Sequence, residues 1–369
     1  LQVGISNKLF LRLCPEITLS MSHPNPLRDP GAVDHGPDAS EFKAMMEKVV
    51  DQHGRTYSDC LAVSFRWEND NTNAEIDTRN FQTILHAFGF KKAKEFVIRS
   101  NDATPGWTVR GECEGMLKKA ISYDGQRTII FIHYAGHGMA VNGELHFTNS
   151  RKSFAVTPTF FQDVDERSYL EPTSNVDVVF FFDACYSHFA TRSRQASTRV
   201  VEVIAATDEV TPEAFGPGTH ASFTGKLANE IAARKGRGDR DVEFAELAET
   251  LRANSPRRKP VHGLRIGVNS IRLKFPGPAT TTSNPLSRGP ALQAVFSFNV
   301  SKDMTKDQLA GFVAWLRRLP PNVGLCLENV YRTESTCLVL RSAYSVYSKL
   351  AGLPFITFIC ETKLPNLVQ

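Results

Sequence analysis

A thiol and an imidazole, each following a run of apolar residues, are the groups in this sequence best placed to do chemistry. The first run leads into Ile132-His133-Tyr134-Ala135-Gly136-His137-Gly138, the second into Phe182-Asp183-Ala184-Cys185-Tyr186-Ser187. A cysteine becomes a strong nucleophile near neutral pH when a neighbouring imidazole takes its proton. By itself Cys185 would be read as a buried structural thiol, because free cysteine is among the most buried residue types. Its pairing with His137 points instead to acyl transfer through a thioester. Glycines flank His137 on both sides and let the backbone turn sharply and approach a substrate closely. The Gly138 N–H, together with that of Cys185, supplies two donors of the kind that stabilise a tetrahedral oxyanion. His133 reads as a packed or hydrogen-bonded residue at a strand end, and His188 as a surface histidine.

Those groups need a scaffold that ends two strands at one edge. Cys60 to Phe65, Phe96 to Ile98, Arg127 to Tyr134, Val176 to Asp183 and Val200 to Ala206 read as buried strands. Between and after them, Asp77 to Phe88, Thr108 to Ser122, Phe223 to Ala233 and Val242 to Ala253 carry apolar residues at helical spacing. Unbroken apolar strands alternating with helices predict an α/β fold, with a mostly parallel sheet covered on both faces. Functional groups in such sheets gather beyond the carboxyl ends of the strands. Ser40 is expected to cap a preceding helix running to about residue 51, with Met45, Met46, Val49 and Val50 as its apolar face. Residues 276–290 read as a linker by composition. Residues 291–369 then show the order β-α-β-β-α-β, which predicts a small ferredoxin-like α+β domain. The expected organisation is a disordered segment over 1–38, an α/β domain over 39–275, the linker, and the small domain.

The two polar segments resemble those of a known family. Tyr134-Ala135-Gly136-His137-Gly138 is similar to the (Y/F)SGHG segment of metacaspases and related caspase-like peptidases, and Asp183-Ala184-Cys185-Tyr186-Ser187 to their DxCHSG segment. The dyad separation of about 50 residues is that of caspases. Val203 to Thr207, followed by Ser222-Phe223-Thr224, is similar to the family's fifth strand and following helix start. The resemblance covers residues 58 to about 275. It implies a caspase-like fold and a cysteine endopeptidase acting on polypeptides, with His137 and Cys185 as its dyad. It also implies an acidic pocket that selects Arg or Lys before the scissile bond. Asp183 matches one of the pocket's acids and Asp77 is the best match to the other; two carboxylates would hold a guanidinium well. Ala135, Tyr186 and His188 depart from the family pattern and favour a second reading, a weak or inactive caspase-like interaction module. Asp163, Asp165 and Glu166 form the nearest cluster to the acids some metacaspases use for calcium, and no calcium site, metal or other cofactor is assigned. Arg192, Arg194 and Arg199 follow the Cys185 strand, where caspase-type proteins are cut, and stand as expected points of self-processing.

Composition narrows the partners. The formal net charge of +4, from 43 basic and 39 acidic residues, is too small a surplus to argue for nucleic acid or an anionic membrane surface. No apolar run approaches the ~20 residues of a membrane helix. The stretch from Leu9 to Leu19 is interrupted by Arg12, Pro15 and Glu16 and makes a poor signal peptide. Met21 is a candidate start, and the cytoplasm is the expected compartment. Seven scattered cysteines without a CxxC spacing fit reduced thiols and give no zinc site. A regulatory or protein-partner role is left open for the C-terminal domain.

Overall fold

The computed structural model describes residues 37–51, 54–123, 126–152, 155–156, 174–191, 199–214, 216, 221–277, 289–332 and 336–363. The expected N-terminal disorder, the body of the linker, the acidic cluster at 163–166 and Arg192 and Arg194 lie outside these residues.

The described chain opens with α1 (Ala39–Val49), capped by Asp38, whose carboxylate accepts from the Ser40 and Glu41 amides. It continues through β1 (Asp59–Trp67), α2 (Ala74–Ala87), β2 (Lys94–Ile98), α3 (Pro105–Ile121), β3 (Thr128–Ala135), β4 (His137–Val141), β5 (Glu144–Thr148), β6 (Ala155–Val156) and β7 (Val176–Asp183). After a short 3-10 turn at Ser187–Thr191 come β8 (Val201–Ala205), α4 (Phe223–Gly236), β9 (Asp241–Glu243), α5 (Phe244–Ala253), β10 (Val261–Ile266) and β11 (Arg272–Lys274).

The main sheet has the order β10-β8-β7-β3-β1-β2. All neighbours pair in parallel except β10, which runs antiparallel to β8. Its central strands are rich in β-branched and aromatic residues, and every residue of β3 and β7 is buried. That is the signature of strands covered on both faces. On one face Val109, Cys113 and Leu117 of α3 pack with Ile130, Ile132, Phe180 and Val203. On the other Phe81 and Leu85 of α2, Leu227 of α4 and Leu247 of α5 pack with Phe131, Phe181 and Ile204. The α/β sheet expected from the strand–helix alternation is present. The separate three-stranded sheet β4-β5-β6 and the small β11-β9 pair had no counterpart in that expectation.

The C-terminal region adds β12 (Gln293–Val300), α6 (Lys306–Leu316), β13 (Cys326–Arg332), β14 (Thr336–Ala343), α7 (Tyr344–Leu350) and β15 (Ile356–Thr362). Its antiparallel sheet runs β13-β14-β12-β15, the ferredoxin-like arrangement. The expectation that residue 39 opens the α/β domain meets a different packing. Phe42, Met46 and Val49 of α1 join the C-terminal core, and Phe42 stacks on Phe298 at 4.0 Å. The helix pattern could not reveal which core its apolar stripe would meet. Its cap is Asp38 rather than Ser40, because the chain enters the helix two residues earlier.

Buried polar links join this region to the α/β sheet. Lys349 Nζ donates to Glu243 at 2.6 Å, and Glu249 accepts the amides of Ser345 and Ala291 at 2.9 and 2.7 Å. His262 lies between Ser348 Oγ and Glu202, at 2.9 and 2.8 Å.

Candidate active site

The site forms where β3 and β7 end. These strands are parallel neighbours in a register that places Ala135 opposite Asp183. His137 and Cys185 each lie two residues beyond that pair, so the two segments leave one edge of the sheet side by side. Gly136 makes the departure from β3, with a φ of +146° that side-chain-bearing residues rarely adopt. Gly138 then runs directly against the cysteine segment: a Cβ there would collide with the carbonyl oxygen of Cys185 and sit 3.0 Å from the Ala184 methyl. Only a glycine permits this approach. Both His137 and Cys185 are half-buried.

Neighbouring groups set the position of each. Tyr134, buried and stacked on Phe147 at 3.8 Å, donates its hydroxyl to the His137 carbonyl at 2.8 Å. Burial, then the charge of Asp70, pushes this phenol well above its ordinary value, so it stays a donor. The His137 ring places Nε2 2.6 Å from Asn71 Oδ1, in the loop between β1 and α2. On the thiol side, the Ala214 amide donates to Cys185 Sγ at 3.3 Å. Tyr186 adopts a left-handed conformation, with a φ of +61°, and its amide donates to the Pro212 carbonyl at 2.6 Å. The segment 208–214 therefore lies across the cysteine.

That segment is itself tied down. Asp208 accepts from the Thr211 amide and hydroxyl at 2.7 and 2.6 Å. Arg252 of α5 donates to Asp208 at 2.9 Å and also bonds Glu361 of β15. Arg258 bonds the Ala214 carbonyl. Lys259 Nζ donates to Glu361 at 2.7 Å.

Behind the cysteine, Asp183 and Asp77 are both fully buried. Asp183 accepts from the Thr224 amide and hydroxyl at 2.8 and 2.9 Å through Oδ2, while its Oδ1 is buried without a hydrogen-bond partner. Burial, reinforced by the charge of Asp77, pushes its carboxyl up to about 7. Asp77 accepts from Ser222 Oγ at 2.8 Å and Asn80 Nδ2 at 2.9 Å. The helix expected to start at Asp77 begins at Ala74, so Asp77 is already inside its first turn. The nearby Lys226 ammonium donates to Ser255 at 3.1 Å. His133 is buried, stacked on Phe81 at 4.7 Å and bonded to Ser64 and Thr224 at 2.8 and 3.1 Å. Burial pushes its pKa down to about 3, so it is a neutral structural residue.

The structure brings His137, Gly138, Cys185 and Asp183 to one edge, with Asp77 beside Asp183. His188, expected at the surface, is buried. Arg199 is fully buried as well, which withdraws it as a point of self-cleavage. Sequence reasoning missed Asn71, Thr224, Ser222 and the 208–214 loop as partners of these groups. Asn71 lies in a turn-forming Asn/Asp-rich stretch that signals only a loop, and contacts across a sheet edge carry no local pattern. Among the described residues, no group of three or more His, Cys, Asp or Glu side chains is placed to hold a metal ion, and no helix is long and apolar enough to cross a membrane.

Comparison with curated proteins gives no match. Among solved structures the chain is similar to the crystal structure of caspase-1 from Spodoptera frugiperda, at 15% identity over 63% of this chain and 100% of that one, with a TM-score of 0.38. It is also similar to the structure of pro-sf-caspase-1, at 12% identity over 60% of this chain and 100% of that one, with a TM-score of 0.39. The profile of the caspase domain matches residues 60–262, from the first strand of the sheet to its antiparallel edge. With that match over more than half its length, the chain belongs to the caspase-domain family of cysteine peptidases.

Proposed function

We propose that the protein is a cysteine endopeptidase of the metacaspase kind, cutting polypeptides after Arg or Lys with His137 as general base and Cys185 as nucleophile. The observation that carries this reading is the register of β3 and β7, which sends both residues off one sheet edge, with Gly138 against the Cys185 backbone. The imidazole takes the thiol proton, and the thiolate attacks the scissile carbonyl carbon. The tetrahedral oxyanion is held by the amides of Gly138 and Cys185, a contribution of several kcal/mol in comparable sites. Collapse expels the amine, which takes the proton from His137. Water, deprotonated by the same imidazole, then hydrolyses the thioester.

Basic specificity rests on Asp183 and Asp77. A buried carboxylate oxygen without a partner is costly, and a guanidinium or ammonium from the substrate would satisfy Asp183 Oδ1 and return the carboxyl to its charged form. The Ala214 amide that bonds the sulfur would release it when the thiolate attacks a substrate carbonyl.

A fluorogenic peptide with Arg before the cleaved bond tests the reading. Wild type should turn it over and Cys185→Ala should not; hydrolysis undiminished in the variant overturns the assignment. The second reading, an interaction module without turnover, is favoured by that same Ala214 contact and by the sealed acid pair. An arginyl chloromethylketone separates the two: stoichiometric labelling of Cys185 supports the peptidase, and no labelling supports the module.

A further inference from the structure

We infer that Asn71 is a positioning residue of this site, the third member of a Cys185–His137–Asn71 arrangement that fixes the imidazole's tautomer. The inference rests on the dyad reading above and adds to it. The amide oxygen of Asn71 lies 2.6 Å from His137 Nε2. An amide oxygen only accepts hydrogen bonds, so Nε2 is the protonated nitrogen. The proton-free nitrogen is then Nδ1, the form in which the ring can take a proton from the thiol. Once it has done so, the cation is stabilised by the same oxygen. A neutral amide does this without fixing a permanent imidazolium, as a carboxylate would.

The loop is built to hold Asn71 in place. Asp70 Oδ2 accepts from the Thr72 and Ala74 amides at 2.9 and 3.2 Å, tying both sides of Asn71 to the start of α2. Asn73 adopts a left-handed conformation, with a φ of +62°, turning the chain into the helix. The opposite end of the histidine is pinned through its carbonyl by Tyr134. The ring is thus oriented from the β1–α2 loop and the main chain from β3. Asn71 is exposed, so replacing it leaves no cavity and no buried polar group, and its effect reads on chemistry rather than on folding.

The test uses the full chain and two variants, Asn71→Ala and Asn71→Asp, alongside His137→Ala. The probe is the pH dependence of Cys185 alkylation by iodoacetamide, followed by peptide mass spectrometry, with Arg-peptide turnover measured in parallel. Asn71→Ala should lower kcat about tenfold or more with little change in KM, and should weaken the low-pH alkylation that depends on His137. Asn71→Asp, which puts a carboxylate against the same ring nitrogen, should displace the acid limb of both profiles from that of wild type. A thermal melt of each variant should match wild type. Alkylation profiles and kcat unchanged in both Asn71 variants, while His137→Ala abolishes the low-pH alkylation, overturn the inference and leave the dyad standing. An ordinary thiol profile in wild type, unaffected by His137→Ala, removes the dyad reading and the role of Asn71 together.

Discussion

On the proposed reading, Asp183 carries a conflict between stability and recognition. Its folded value lies above the ordinary 3.8, so the folded protein binds that proton more tightly than the unfolded chain. The stabilisation this gives is complete below about pH 4 and is lost as pH rises through about 7. Asp183→Asn keeps an oxygen for Thr224 and removes the ionisation. Its melting temperature should exceed that of wild type at pH 8 and converge with it only by about pH 4, while turnover of Arg substrates falls at least 100-fold. Equal melting curves at pH 8 would contradict the burial argument. Gly138→Ala tests the other side of the site. The added methyl meets the Cys185 carbonyl, and overpacking of this sort costs about 1–3 kcal/mol; loss of turnover together with a lowered melting temperature is expected. At this scale the sequence was legible where a residue's own chemistry announces it: His137, Cys185 and Asp183 were singled out from type and position, and the structure brings them to one sheet edge. Asn71, Ser222 and Thr224 were not, because their roles come only from what faces them across the edge.

His133 belongs to the element scale, since it locks three elements together: β1 through Ser64, β3 through its own backbone and α4 through Thr224. Its folded value of about 3 lies below the ordinary 6.5. The folded protein therefore binds this proton less tightly, and the associated stability, present above pH 6.5, is lost as pH falls through the window down to about 3. His133→Leu should lower stability at pH 7 by about 1–2 kcal/mol and flatten the loss on acidification, measured by urea unfolding at pH 5 and 7. Strands were legible at this scale because covered strands are almost continuously apolar; the predicted strand at Val176 to Asp183 has the observed bounds. The β4-β5-β6 sheet was not legible, being short, half-exposed and without strong alternation. The helix α1 was found as a helix but not as part of the C-terminal core, because an amphipathic stripe says that it will be covered and not by what.

Across the whole molecule, the C-terminal sheet is bound to the caspase domain by charge as well as by packing. Arg252, 8% exposed, bonds Asp208 on one side and Glu361 on the other. Removing one member of a buried ionic group strands the rest, at a cost of about 3–5 kcal/mol. Arg252→Ala should lower the urea midpoint accordingly, and Glu361→Gln by less, since Arg252 would keep Asp208. The connectivity of the C-terminal domain could be read from helix and strand periodicity; its docking could not, because the partners of Glu249, Lys349 and Glu361 are more than 40 residues away in sequence. The Arg252 bridge has a further consequence. Asp208 anchors Thr211, and three residues later Ala214 touches the sulfur. A protein that grips Glu361, or a cut that frees the last strand, would slacken the 208–214 segment over Cys185 from a distance, without touching Cys185 itself.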